Sequence, residues 1–288
     1  MGCCSIELSL TNLVLFGVLF FIGKKAIKFF QKWKVEKMLE KWDEAPKDKL
    51  ILHTVWRSKP MPSVSPFGLK LETYLRMAKI PYEVLNNNLD TTDPMGPKGK
   101  LPWITYQGVH VADSQLCIEF LNKKFDISLN KSASKEQLAA ARACRVMLED
   151  HFLWGLVQYR FVDNINALSQ LMKIPGIFKL LLPIRSYQLK QRMISNGIGK
   201  HTPTEIYQMT GADLHTVSAV LGSKKFFGGD EPCEDDCALF GSVAQAVWGL
   251  PGSSFERLCQ GELKNLKEYC VRMKERYWAD WDDCRDKS

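Results

Sequence analysis

Residues 49–85, KLILHTVWRSKPMPSVSPFGLKLETYLRMAKIPYEVL, decide the fold. The run from Lys49 to Trp56 is apolar, β-branched and aromatic over the length of one buried strand. Proline and serine then crowd residues 59–66 and mark a loop. Phe67, Leu71, Tyr74, Leu75 and Ala78 recur at helical spacing, and Pro81 follows the stop. Tyr82 to Leu85 form a second strand, so the stretch spells strand, helix, strand.

Working outward, residues 86–100 are an irregular connection containing Asp-Pro, Gly-Pro and Lys-Gly. Residues 103–106 and 109–111 pair as a hairpin about Gln107-Gly108, and Ser114 opens an amphipathic helix through Cys117, Phe120, Leu121 and Phe125. A crossover, a hairpin and a covering helix make a thioredoxin-like half. From Ser134 onward only helical periods occur, most clearly Leu263, Leu266, Cys270, Met273 and Tyr277. The expected architecture is an α/β domain over residues 49–127 and an all-α domain over residues 128–288.

Residues 8–23, LSLTNLVLFGVLFFIG, carry no charge, and Lys24, Lys25, Lys28, Lys32, Lys34 and Lys37 follow at once. Residues 1–25 therefore read as an uncleaved single-pass membrane anchor, and residues 26–48 as a basic, aromatic amphipathic stalk. Lysines on the C-terminal side place the body in the cytosol. Nine scattered cysteines fit a reducing compartment rather than a disulfide framework. Cys3 and Cys4 are weak candidates for palmitoylation. The net charge of +7 gathers in the stalk and in residues 164–204, which contain no Asp or Glu. Such blocks favour anionic surfaces; with no recognition helix, RNA-binding motif or zinc finger in the sequence, lipid is the expected partner and nucleic acid is not. Within the second block, residues 174–193 mix apolar and basic side chains as a lipid- or partner-facing segment would.

Three positions invite chemistry, and each has a plainer reading. Ser65-Pro66 begins the first body helix, where a hydroxyl can donate to a thiolate or merely cap the helix. Pro102, after Lys100 and Leu101, is placed either to turn the backbone toward a peptide-like ligand or only to restrict its neighbour. Asp113-Ser114 opens the next helix, a cap or a holder of a carboxylate. Cys233 and Cys237 lack further ligands, and no metal site is expected.

The sequence resembles known proteins through specific stretches. W-x₈-S-P-F-x-x-K-L-E (residues 56–72), I-P-Y-E (80–83) and G-K-L-P-W-I (99–104) look like the N-terminal domain of a glutathione transferase. SPFGLKLETYLRMA (65–78), GIGKH (197–201), LFGSVAQ (239–245) and LPGSSFERLCQGELKNLKEYCVRMKERYWADW (250–281) resemble the failed axon connections family, which is metaxin-related and includes cadmium-responsive nematode proteins. The resemblance implies the glutathione-transferase fold behind an N-terminal membrane helix. It also implies Ser65 as the residue facing the glutathione thiolate, with Lys100, Leu101, Pro102, Asp113 and Ser114 binding glutathione. A Ser at position 65, where other classes carry Cys, argues against thiol exchange. Where these transferases cap a helix with Thr or Ser, this chain has Cys233, though Asp236 is retained. Two functions follow: a transferase-like protein of stress, detoxification or cadmium response, or a non-catalytic module, alone or as a homodimer, in membrane-protein assembly or axon development. The membrane is left open among the mitochondrial outer membrane, the lysosome and other endomembranes.

Overall fold

The computed structural model describes residues 10–86, 95–165, 168–171, 174 and 176–287. Its first element, α1 (Leu10–Asp43), is one continuous helix running through the residues read as anchor and stalk. The body begins with β1 (Leu50–Thr54), α2 (Pro66–Met77) and β2 (Tyr82–Asn86), then β3 (Trp103–Tyr106), β4 (Val109–Ala112) and α3 (Ser114–Phe125). The strands form one sheet in the order β2-β1-β3-β4, with β1 parallel to β2 and the other neighbours antiparallel. The strands and helices read in residues 49–86 and 103–125 are thus met one by one.

Strand alternation divides the sheet into two faces. Leu50, Leu52 and Ile104 point inward, into the main core with Leu69, Leu71 and Leu75 of α2 and Ile118 and Leu121 of α3. His53, Trp103 and Ala112 point outward, where Met38, Leu39 and Trp42 from the end of α1 cover them. No helix is described between β2 and β3; the last turns of α1 cover that face.

The second domain is helical. α4 (Lys135–Met147) continues through a π-helical turn at Leu148–Phe152, α5 (Leu153–Val157) and a second π turn at Gln158–Asp163. After the short α6 (Leu168–Leu171) come α7 (Gly176–Asn196), α8 (Pro203–Leu221), α9 (Asp236–Ala244), α10 (Ser254–Gln260) and α11 (Lys264–Tyr277). α9 lies directly on α2. A Cβ added at Gly241 would fall 2.5 Å from the Pro66 carbonyl oxygen and 3.0 Å from the Lys70 nitrogen, so the domain junction requires glycine there. Buried Lys70 crosses the same junction to Glu149 at 2.7 Å, which also receives Arg145 at 3.2 Å. Asp236 accepts from the Cys233 N–H at 2.8 Å, so the carboxylate half of the capping box is present without a hydroxyl at position 233.

Among the described residues, no helix is long and apolar enough to cross a membrane. The expected bilayer span over residues 1–25 is thus not shown by the described residues, which begin at Leu10. The uncharged part of α1 from Leu10 to Gly23 rises about 21 Å at ~1.5 Å per residue. Its side chains are nonetheless bare: Leu15, Phe16, Leu19, Phe20 and Phe21 are all exposed. Residues 1–9, including Cys3 and Cys4, lie outside the described residues.

Candidate functional site

Sheet register brings the three sequence candidates to one rim. Across the sheet, His53 of β1 is paired with Trp103 of β3, and Trp103 with Ala112 of β4. The C-terminal end of β1, the N-terminal end of β3 and the C-terminal end of β4 therefore share one edge. From that edge spring the β1–α2 loop bearing Ser65, the Leu101-Pro102 pair and the Asp113-Ser114 pair. The Leu101-Pro102 peptide is cis.

Ser65 is the N-cap of α2, its Oγ accepting from the Gly68 N–H at 3.2 Å. That bond uses a lone pair and leaves the hydroxyl proton available to a ligand. The loop is packed from beneath by hydroxyls: a Cβ at Gly68 would meet Thr54 Oγ1 at 2.6 Å and Ser63 Oγ at 2.9 Å. Ser63 Oγ also accepts from the Ser65 N–H at 3.2 Å. Asp113 adopts a positive φ of 89° and caps α3, its Oδ1 accepting from the N–H groups of Gln115 (3.0 Å) and Leu116 (3.2 Å). Two of the helix N–H groups expected to hold a carboxylate are thus already engaged. Ser114 is buried behind Asp113, Lys100 is exposed, and Leu101 packs against α1.

The residues that hold the Ser65 loop come from two π-helical turns, Gln158–Asp163 and Gln245–Gly249, which no pattern in the sequence marks. Arg160, almost wholly buried, donates to the Val64 carbonyl at 2.6 Å, to Gln245 Oε1 at 3.1 Å and to the Gly249 carbonyl at 2.8 Å. Gln245 in turn donates to the Ser63 carbonyl at 3.2 Å. Burial pushes the Arg160 guanidinium down to about 9. Val64 is also covered, by Leu168, Leu171 and Ile174, and the Lys59 N–H donates to the Leu171 carbonyl at 2.9 Å. Sizeable cavities of about 810, 570 and 610 Å³ lie elsewhere, and Ser65, Pro102, Asp113 and Ser114 line none of them.

A second polar system, also unforeseen, runs under the outer face. His53 Nε2 lies 3.0 Å from Thr105 Oγ1, Thr105 Oγ1 lies 3.0 Å from His110 Nδ1, and His110 Nε2 lies 3.1 Å from Asp43 Oδ1. The carboxylate can only accept, so with a neutral His110 ring it sets the direction of every bond. His110 donates to Asp43, Thr105 donates to His110, and His53 donates to Thr105. His53 Nδ1 is then a bare acceptor in a buried place, where it has no partner. Protonating it would create an unmet buried cation; burial, with His110 nearby, accordingly lowers the His53 pKa to about 3.

The motif positions Lys70 and Glu72 are structural. Glu72 is fully buried and takes a bidentate pair from Arg57 at 2.7 and 2.9 Å, with the Tyr82 hydroxyl at 3.2 Å. Cys233 and Cys237 are buried free thiols, and burial raises the pKa of both. Among the described residues, no cluster of His, Cys, Asp or Glu is arranged to hold a metal ion.

Two family models match the chain: the glutathione S-transferase N-terminal domain over residues 66–166, and the C-terminal domain over residues 210–273. Solved structures agree on the fold. The β-etherase LigF of Sphingobium superposes with a TM-score of 0.59 at 19% identity, covering 78% of this chain and 95% of that one. A glutathione S-transferase of Methylobacterium radiotolerans, in complex with glutathione sulfonate, gives 0.55 at 16%, covering 83% and 97%. The chain is a glutathione-transferase-like protein. Among curated proteins it is related to Failed axon connections of Drosophila melanogaster (29% identical, 82% of this chain) and Metaxin-1 of Sus scrofa (29%, covering 77% and 73%). It is also related to the isoprene-epoxide glutathione S-transferase of a Rhodococcus strain (28%, covering 75% and 94%). The match spans 60% of the Drosophila protein's own length.

Proposed function

We propose that this protein binds glutathione at the rim formed by Ser65, Pro102 and Asp113-Ser114, on a membrane-associated body that acts in stress or detoxification. The observation that carries the reading is the row His53, Trp103, Ala112, which sets all three ligand candidates at one sheet edge. In this reading the Ser65 hydroxyl donates to the glutathione sulfur while Asp113 and Ser114 receive the γ-glutamyl end. The bare apolar half of α1 and the exposed Leu180, Leu181, Ile184 and Tyr187 of α7 support contact with lipid from a cytosolic side.

The reading is tested on the purified protein by titration with glutathione and by conjugation of a generic electrophile. A charge-assisted bond to the thiolate contributes about 1.5–3 kcal/mol, so Ser65→Ala should slow conjugation about tenfold or more and weaken binding modestly. Asp113→Ala should weaken binding without changing the thiol's pKa. Absence of glutathione binding would refute the site.

The packing of Val64 under Leu168, Leu171 and Ile174 favours a second reading, an adaptor without turnover. Binding of glutathione without conjugation above the uncatalysed rate would select it.

A further inference from the structure

An open groove of about 610 Å³ lies between α1 and the loop leading into β3. Lys32, Lys34 and Val35 wall it on the helix, and Met95, Pro97 and Lys98 on the loop. Three lysines from two distant stretches of chain thus line one space, and among the described residues no carboxylate lines it. Lys32 reaches Glu36 at 3.6 Å, a loose pair with both side chains exposed. Lys34 Nζ is 5.1 Å from the Phe30 ring. Among the described residues, neither Lys34 nor Lys98 is paired with an acid.

The two walls are fixed to one another. Met38, Leu39 and Trp42, the next turns of α1, pack with Leu101 and Trp103 immediately beyond the loop. Gly96 lies against Trp103 so closely that a Cβ would come within 2.6 Å of the ring, and the Gly99 N–H donates to the Gly96 carbonyl at 2.8 Å. Beside the groove on the same helix, Phe29, Phe30 and Trp33 are exposed, as aromatic side chains are at a lipid interface.

We propose that this groove is a binding site for the phosphomonoester headgroup of an anionic lipid, with the aromatic turn of α1 at the level of the lipid backbone. A phosphomonoester carries close to two negative charges and three acceptor oxygens, which suits a groove lined by three lysines better than a singly charged headgroup does. The proposal rests on the membrane-associated reading above and goes beyond it, because a polybasic helix alone has no use for Lys98.

The test is co-sedimentation of the full-length protein with phosphatidylcholine vesicles containing either phosphatidylserine or phosphatidylinositol 4-phosphate at matched surface charge. Binding should be stronger to the phosphoinositide. Lys98→Gln should weaken that binding about fivefold, while Lys37→Gln, which removes the same charge from α1 away from the groove, should do so by less than about twofold. Equal loss from both variants, or equal binding to the two anionic vesicles, would show diffuse attraction and overturn the groove while leaving membrane association intact. Failure to bind any vesicle would overturn both. Inorganic phosphate or soluble inositol phosphate binding the groove as tightly as the vesicles would overturn the lipid assignment.

Discussion

The two faces of the sheet are sealed by opposite means. The inner face is aliphatic: Leu50, Leu52 and Ile104 meet α2 and α3, and charged groups enter only as matched pairs such as Glu72 with Arg57. The outer face is aromatic and polar, with His53 stacked on Trp103 at 3.5 Å, Trp42 edge-on to His53 at 4.6 Å, and the Asp43–His110–Thr105–His53 chain beneath α1. An aliphatic face is largely indifferent to pH and to direction. A face closed over the buried neutral His53 is weakened when that ring takes up a proton, and it depends on a helix that is not part of the strand-helix-strand unit. One face makes the domain, and the other ties α1 to it.

The largest effect is expected on the inner side. Glu72 is the buried carboxylate shared by Arg57 and the Tyr82 hydroxyl, with Arg76 at 3.8 Å. Glu72→Gln would strand a mostly buried guanidinium, at a cost of about 3–5 kcal/mol in denaturant unfolding. A loss below ~1 kcal/mol would mean that the two faces are less different than their chemistry suggests.

Next comes acid sensitivity, which should belong to the outer face. His53 has its folded pKa lowered to about 3 from the ordinary 6.5, so the unfolded chain binds the extra proton between these values. Its contribution to stability is therefore full above about pH 6.5 and is lost as pH falls toward 3, at up to ~1.4 kcal/mol per pH unit. His53→Phe should flatten stability across that window, with tryptophan fluorescence as the readout. An unchanged slope would move the acid sensitivity to other groups.

Legibility in the sequence followed the same division. The inner face was readable because its code is local: alternation in β1 and helical spacing in α2 lie within residues 49–85. Ser65 and Asp113 as helix caps, and Pro102 as a constrained peptide, are also legible, since helix caps and an X-Pro peptide leave marks in neighbouring residues. The outer face was not legible. Nothing near His53 shows that Asp43, Trp42 and Met38 will close over it. Arg160 and Gln245 were missed for a related reason: their roles depend on π-helical turns, which have no sequence period of their own. The Lys98 wall of the groove likewise appears only when two distant segments meet.

The apolar docking of α1 is the third effect. Met38 is almost fully buried against Trp103 and Ala112. Met38→Ala should cost about 2 kcal/mol and should show first as faster amide exchange in α1 rather than in α2. Uniform exchange through both helices would mean that the two faces unfold together.

The smallest effect separates the polar from the apolar part of that docking. Asp43 is well exposed, and its bond to His110 at 3.1 Å is the outermost of the relay. Exposed pairs of this kind contribute little, because solvent screens them and the side chains lose freedom in making them. An Asn at position 43 keeps an acceptor oxygen for the His110 N–H, so the direction of the bonds from His53 outward can survive. Asp43→Asn should therefore change stability near pH 7 by less than about 0.5 kcal/mol, well below the loss from Met38→Ala. It should also leave the acid slope of His53 in place, since that slope arises from burial of His53 rather than from the distant carboxylate. A loss above ~1.5 kcal/mol would reverse the assignment: the carboxylate, by orienting the imidazoles, would then hold α1 on the sheet, with Met38 and Trp42 only filling the space beneath it.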